Sequence, residues 1–238
     1  MTHLVYCIMR APVVNGEPMT GVKGKEVFFV TTHGLCAAVS ELLSAENTLP
    51  VSELLVYGRV VEELYRMQAV IPMRYGCFLK ELSKVQRILE EKNRQYDTLL
   101  QELEGRVEMG IRILLPEQAV RPQQGTQPVD GGHYLAMRRT HYRIQDENSR
   151  HNQALLDECI QAFSGLYSKH RTDTATSNGS VVLSLYFLIP KNQINRFRGT
   201  FRRVIENEVP KALISGPWPP YNFATPDILP GAKPAGAQ

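Results

Sequence analysis

The sequence predicts an α+β protein of two domains with an extended C-terminal tail. Three observations predict it. From about residue 105 the elements follow the order strand, helix, strand, strand, helix, strand, the βαββαβ pattern of a ferredoxin-like domain. Within that half, 106–115 alternates apolar and polar residues and 181–189 is the most apolar run of the chain, so these two are expected as the central strands of an antiparallel sheet. The first half instead carries three strands, a helix, a strand and a long helix, a separate α+β unit. The expected boundaries are 1–104 for the N-terminal domain, 105–215 for the ferredoxin-like domain and 216–238 for a Pro/aromatic strap and tail.

In chain order, Leu4–Met9 is a short apolar strand, followed by a turn-rich loop through Gly16, Pro18, Gly21 and Gly24. Val27–Thr32 is β-branched and aromatic, and His33-Gly34 turns it into a hairpin with Leu35–Val39. Ser52 is placed to cap a helix running to about Gln68, with Leu54, Leu55, Val61, Leu64 and Tyr65 at helical spacing. Pro72 inside the apolar run 70–78 predicts an edge strand or a bulge. Residues 79–104 predict one long helix, its heptad stripe broken at Lys92 and its end marked by Gly105.

In 106–115, Val107, Met109, Ile111, Ile113 and Leu115 share one face, with Arg106, Glu108, Gly110 and Arg112 on the other, so one face should be buried. Residues 116–130, rich in proline and glutamine, predict a loop. A helix is expected over 133–167, polar in its middle, then a ragged strand over 169–176 and a turn at Ser177-Asn178-Gly179-Ser180. Gln193–Asn207 predicts a helix burying Ile194, Phe197, Phe201, Val204 and Ile205, and Lys211–Ser215 a last strand. Residues 225–238 predict a frayed tail.

The bulk composition excludes several classes. With 43% hydrophobic and 21% charged residues the chain has a soluble globular balance. A formal charge of +3 is too weak to argue for nucleic acid by field alone. No apolar run is long enough to span a membrane, and the N-terminus lacks the pattern of a secretory leader. Cys7, Cys36, Cys77 and Cys159 are widely spaced, which predicts reduced thiols and a cytoplasmic setting.

The most informative stretch is Gly216-Pro217-Trp218-Pro219-Pro220-Tyr221-Asn222-Phe223, which contains the single tryptophan of the chain. Its prolines forbid a helix or an interior strand, and its rings should not stay in water. Two roles are open. Trp218, Tyr221 and Phe223 pin the chain end onto the N-terminal half and tie the domains together, with Trp218 mostly buried near Arg74 and Tyr75. Alternatively the stretch faces a partner.

Gly-Pro-Trp-Pro-Pro-Tyr-x-Phe after a short strand near the C-terminus resembles the signature of the gas vesicle protein F/L family. A second stretch, Pro72-Met73-Arg74-Tyr75-Gly76, is similar to that family's Pro-x-Arg-Phe-Gly element, with Tyr75 in place of phenylalanine. The resemblance therefore covers most of the chain. It implies two domains with a ferredoxin-like C-terminal half, and a non-enzymatic accessory or minor structural protein of gas vesicle assembly. It also implies that the major, very hydrophobic shell protein and other gas vesicle accessory proteins are the partners, and that the site of action is the gas vesicle in the cytoplasm. Arg74, Tyr75, Pro217, Trp218, Pro219, Pro220, Tyr221 and Phe223 are the candidate strap or partner-surface residues.

No catalytic or cofactor site competes with this reading. Gly21-x-x-Gly24-Lys25 lacks the spacing and the Ser/Thr of a phosphate loop. His133, His141 and His151 lack chelating spacing, so no metal is expected, and there is no Gly-x-Ser-x-Gly elbow. Arg196, Arg198, Arg202 and Arg203 cluster on one helix, but Tyr186 is the lone aromatic among the outward strand positions, too little for an RNA-stacking platform. An RNA-binding or ligand-binding regulatory ferredoxin-like module is the alternative, with nucleic acid, membrane and cofactor not expected.

Overall fold

The computed structural model describes residues 1–11, 18–45, 50–116, 150, 152–177, 180–206 and 211–224. It is mixed α and β and divides into two compact units. Met1–Glu108 and the segment from Gly216 onward form the first; Met109–Ser215 forms the second. The Pro/aromatic stretch, expected as a strap on the N-terminal half, is thus grouped with the first unit. The expected 116–130 loop, the 133–149 stretch, the Asn178-Gly179 turn and the 225–238 tail lie outside the described residues.

The first unit is built on one sheet. Its elements are β1 (Thr2–Arg10), β2 (Phe28–Thr32), β3 (Leu35–Leu42), α1 (Val51–Met67), β4 (Val70–Pro72), β5 (Phe78–Leu79), α2 (Leu82–Glu91) and α3 (Asn93–Leu103). The sheet order is β2-β3-β1-β4, with β5 also pairing β1. β1 has antiparallel neighbours on both sides and helices α1 and α3 packed on it, and this cover of the sheet explains why an unbroken run from Thr2 to Met9 is buried. β2 and β3 form the expected hairpin, and His33 and Gly34 both take positive φ (46° and 80°), as a two-residue hairpin turn requires.

The register between β1 and β3 slips at Tyr6, so that Tyr6 and Cys7 both join Leu4 and Met9 in one core cluster. Tyr57, Val60, Val61 and Leu64 of α1 complete that cluster at i, i+3, i+4 and i+7. α2 and α3 lie against the same sheet without joining the cluster, and bury Val85, Ile88, Leu89, Tyr96, Leu100 and Leu103.

Several expectations need correction here. Ser52 does not cap α1, which begins at Val51 after Pro50 and has no side-chain cap. Leu54 and Leu55, expected on its core face, are 40% and 65% exposed. The long 79–104 helix is a short strand and two helices: Leu79 extends β5, and Lys92 (φ −108°, ψ 15°) breaks α2 from α3 where the heptad stripe fails.

The loop through Gly21 was set aside as a phosphate loop, and its geometry supplies the physical reason. The Gly21 N–H donates to the Lys25 carbonyl, the Val22 N–H to the Tyr6 hydroxyl at 3.0 Å, and the Lys23 N–H to a Glu53 carboxylate oxygen at 2.8 Å. The donors that would cradle a phosphate are spent inside the chain. A Cβ on Gly21 would sit 2.3 Å from the Tyr6 hydroxyl oxygen, so glycine is needed for the loop to close over that ring.

The second unit contains the sheet β7-β8-β6-β9. Its strands are β6 (Arg106–Pro116), β7 (Lys169–Ser177), β8 (Ser180–Pro190) and β9 (Ala212–Trp218). A helix over 152–162, α4, precedes β7, and α5 (Ile194–Phe201), ending in a π turn (Arg202–Glu206), precedes β9. β6 and β8 occupy the middle of the sheet, as their apolar content requires. Phe163, Phe187 and Phe197 meet beneath it with ring centroids 4.3–5.3 Å apart. The Gln193–Asn207 helix is shorter than expected as an α-helix. β6 also departs from one-faced burial, because Glu108 and Gly110 are buried as well. The chain leaves the first unit within β6 and returns to it within β9.

Candidate functional site

The first unit brings together the two sequence motifs, which are far apart in the chain. β9 ends at Trp218, at the edge of its sheet, where proline is tolerated. Pro219 and Pro220 are buried, and the chain turns on itself beyond them. The Tyr221 N–H donates to the Pro219 carbonyl at 2.8 Å, and the Phe223 and Ala224 N–H groups to the Pro220 carbonyl at 3.1 and 3.0 Å. Proline supplies fixed φ values and needs no donor of its own, so the turn forms at small entropic cost.

The turn aims its residues at different targets. Tyr221 packs against the core cluster of the first unit, and Phe223 is buried at 5% exposure. Trp218 does not follow the expectation of burial: it is 45% exposed. The largest ring of the stretch stays half outside, while the smaller tyrosine and phenylalanine go in.

Asn222 is the centre of the arrangement. Its backbone N–H donates to Glu108 Oε2 at 2.7 Å and its side-chain Nδ2 to Glu108 Oε1 at 2.6 Å. Its remaining oxygen, Oδ1, accepts from Arg74 Nη2 at 3.1 Å. A buried carboxylate, 4% exposed, is thus linked through one amide to an exposed guanidinium. Hydrogen bonds to an ionised carboxylate are about twice as strong as neutral ones. Arg74 therefore fills the role of an edge arginine bonding a carbonyl oxygen, here that of a side-chain amide.

Beside this clasp runs a series of rings. Tyr6 stacks on Tyr57 at 5.0 Å, Tyr57 meets Tyr75 edge-on at 5.6 Å, and Tyr75 meets Phe78 edge-on at 5.6 Å. The Tyr57 hydroxyl lies 2.8 Å from the Met73 carbonyl oxygen and 3.1 Å from that of Val5, bridging β1 to the chain after β4. Burial pushes the Tyr57 hydroxyl well above its ordinary pKa, so it remains a donor. Tyr221 is also raised, first by burial and then by Cys7, Glu62 and Glu108 nearby.

Of the residues expected from the sequence, Arg74, Tyr75, Tyr221 and Phe223 lie at or beside this clasp, and Glu108 and Asn222 were not among those expected. Glu108 looked like an ordinary outward residue of an alternating strand. The available signal was Asn222 itself, the variable position of the motif, filled by a side chain that both donates and accepts. The clasp holds no base and nucleophile in hydrogen-bond contact. Among the described residues no group of three His, Cys, Asp or Glu side chains could hold a metal ion.

A second feature of the first unit faces outward. Val51, Leu54 and Leu55 of α1 are 73%, 40% and 65% exposed and share a face with Gly58, where an added Cβ would meet nothing within 4 Å.

Comparison with known proteins gives a consistent result. The family model described as "Gas vesicle synthesis protein GvpL/GvpF" matches residues 2–225. Gas vesicle protein L of Streptomyces sp. (strain CB03234) is 26% identical over 183 residues, covering 71% of this chain and 67% of that protein. Gas vesicle protein F1 of Halobacterium salinarum is 25% identical over 219 residues, covering 90% and 87%. The crystal structure of GvpF from Anabaena sp. PCC7120 superposes with a TM-score of 0.76 at 17% identity, covering 94% of this chain and 96% of that one. That of GvpF from Microcystis aeruginosa does so with a TM-score of 0.75 at 15% identity, covering 94% and 99%.

Proposed function

The chain belongs to the GvpL/GvpF family of gas vesicle synthesis proteins, and from that premise we propose that it acts in gas vesicle assembly by holding the hydrophobic shell protein on α1 of its first unit. The gas vesicle-related role follows from family membership; the shell protein as direct partner is our reading. The observation that carries it is the exposed row Val51, Leu54 and Leu55 with half-buried Gly58 beside it. Large apolar side chains grouped on one helix face, beside a glycine that lets another helix come close, suit an apolar helical partner.

In this reading the protein is an accessory component without catalytic activity or cofactor, and its family is not one of enzymes. It works at the vesicle in the cytoplasm, alongside other gas vesicle accessory proteins and without nucleic acid. No described helix is long and apolar enough to cross a membrane. Arg74, Tyr75, Pro217, Pro219, Pro220, Tyr221 and Phe223 serve the clasp that holds the end of the chain on the first unit. Trp218, half outside, is the member of the stretch available to a partner. We also assign the second unit to the ferredoxin-like class, supported by its strand order β7-β8-β6-β9 and by the helices that precede β7 and β9.

The test is co-expression of the tagged full chain with the shell protein, measuring how much shell protein stays in solution and is recovered with the tag. Leu54→Glu with Leu55→Glu should lose the shell protein while the circular dichroism melt is unchanged. Undiminished recovery would remove α1 as the receiving surface.

A further inference from the structure

The second unit carries a cluster of basic side chains that the reading above does not use. Between Thr174 and Ile205 the sequence contains no Asp or Glu, while Lys191, Arg196, Arg198, Arg202 and Arg203 fall in one short stretch. α5 buries Phe197, Thr200 and Phe201, which turns Arg196 and Gly199 to the outside, and Arg202 and Arg203 of the π turn are exposed as well. Arg196, Arg202 and Arg203 have no carboxylate partner among the described residues. Guanidinium groups close together on one short stretch of helix repel one another.

Gly199 adds an independent observation. It lies inside α5 at i+3 from Arg196, one turn along the same face. A Cβ there would meet nothing within 4 Å, so no packing contact requires glycine. Glycine in an exposed helix interior is a worse helix former than alanine, and no contact among the described residues offsets this cost. What glycine provides is a notch between arginines where a second backbone can come close.

We propose that this face is a docking site for an acidic segment of a partner protein, whose carboxylates bond Arg196, Arg202 and Arg203 and whose backbone seats over Gly199. The cations are mostly arginines, whose planar forks match carboxylates in bidentate pairs. Single-stranded nucleic acid would need aromatic side chains for base stacking, and the aromatic residues of α5, Phe197 and Phe201, are turned inward. The surface is distinct from α1 and does not depend on the identity of the partner there.

The test uses the full chain, fluorescently labelled polyglutamate and an oligouridylate of matched charge, read by fluorescence anisotropy. Polyglutamate should bind saturably, and replacing Arg196, Arg202 and Arg203 together by Gln should weaken it about tenfold or more. Replacing Arg66, Arg87 and Arg94 by Gln removes the same charge elsewhere and should leave binding intact. Gly199→Phe keeps every charge and should still lose binding, with a circular dichroism melt showing that the fold survives. The proposal is overturned if the two triple variants behave alike, if Gly199→Phe binds as the parent does, or if oligouridylate binds more tightly than polyglutamate through the same arginines.

Discussion

Asn222→Ala removes the centre of the clasp while leaving the surrounding rings untouched. It deletes the 2.6 Å bond to Glu108 Oε1 and the 3.1 Å bond from Arg74, and keeps the backbone bond to Glu108 Oε2. The lost bond to a buried carboxylate should cost about 1.5–3 kcal/mol. The exposed Arg74 contact adds at most about 1 kcal/mol. For a fold of this size the melting temperature should fall by roughly 5–10 °C. Trp218 is a built-in probe for this perturbation, because it is the single tryptophan and lies four residues from Asn222. Its emission should change at lower denaturant concentration in the variant than in the parent.

Asn222→Asp sharpens the test. It is nearly isosteric but faces one carboxylate with another across a hydrogen-bond distance. Their repulsion raises the proton affinity of the pair in the folded state above that of the unfolded chain. The folded variant then binds more protons than the unfolded one, so its stability deficit grows as pH rises and shrinks as pH falls through that range. Melts of both variants that match the parent, with no pH dependence for the aspartate, would refute the assignment of Glu108 and Asn222 as a clasp.

Two further predictions concern the same unit. Phe223→Ala, at a side chain 5% exposed, should cost about 3–5 kcal/mol, whereas Trp218→Ala, at 45% exposure, should cost only about 1–2 kcal/mol; comparing the two denaturation midpoints checks the order. Burial lifts Tyr65 from 10.0 to about 12 and also raises Tyr57, so the unfolded chain releases these protons first; stability should be full below pH 10.0 and fall as pH rises toward 12, seen as tyrosinate absorbance appearing together with loss of ellipticity.

How much of this was legible in the sequence depends on where the information lies. The β1 run, the β2–β3 hairpin and the apolar strand 181–189 were readable because their burial is written in local periodicity. The family was readable because Trp218 amid three prolines is a rare local pattern. Leu54 and Leu55 were misread because spacing gives a helix face only up to a rotation, and the choice of Tyr57, Val60, Val61 and Leu64 as the buried row depends on the sheet beneath. The break at Lys92 showed as a fault in the heptad, but a fault alone does not say whether a helix bends or ends. Glu108 was hidden because its partner lies more than a hundred residues away, and no local pattern distinguishes a buried carboxylate from a solvated one on an alternating strand.

The most direct measurement of the account is made in cells that produce the full set of gas vesicle proteins, with this chain supplied either as the parent or with Leu54→Glu and Leu55→Glu. Vesicles are measured as light scattering that collapses under pressure, and the amount of this protein by immunoblot. The account predicts that the variant accumulates to the parent level and that pressure-sensitive scattering is lost. Normal scattering from cells holding only the variant would contradict it.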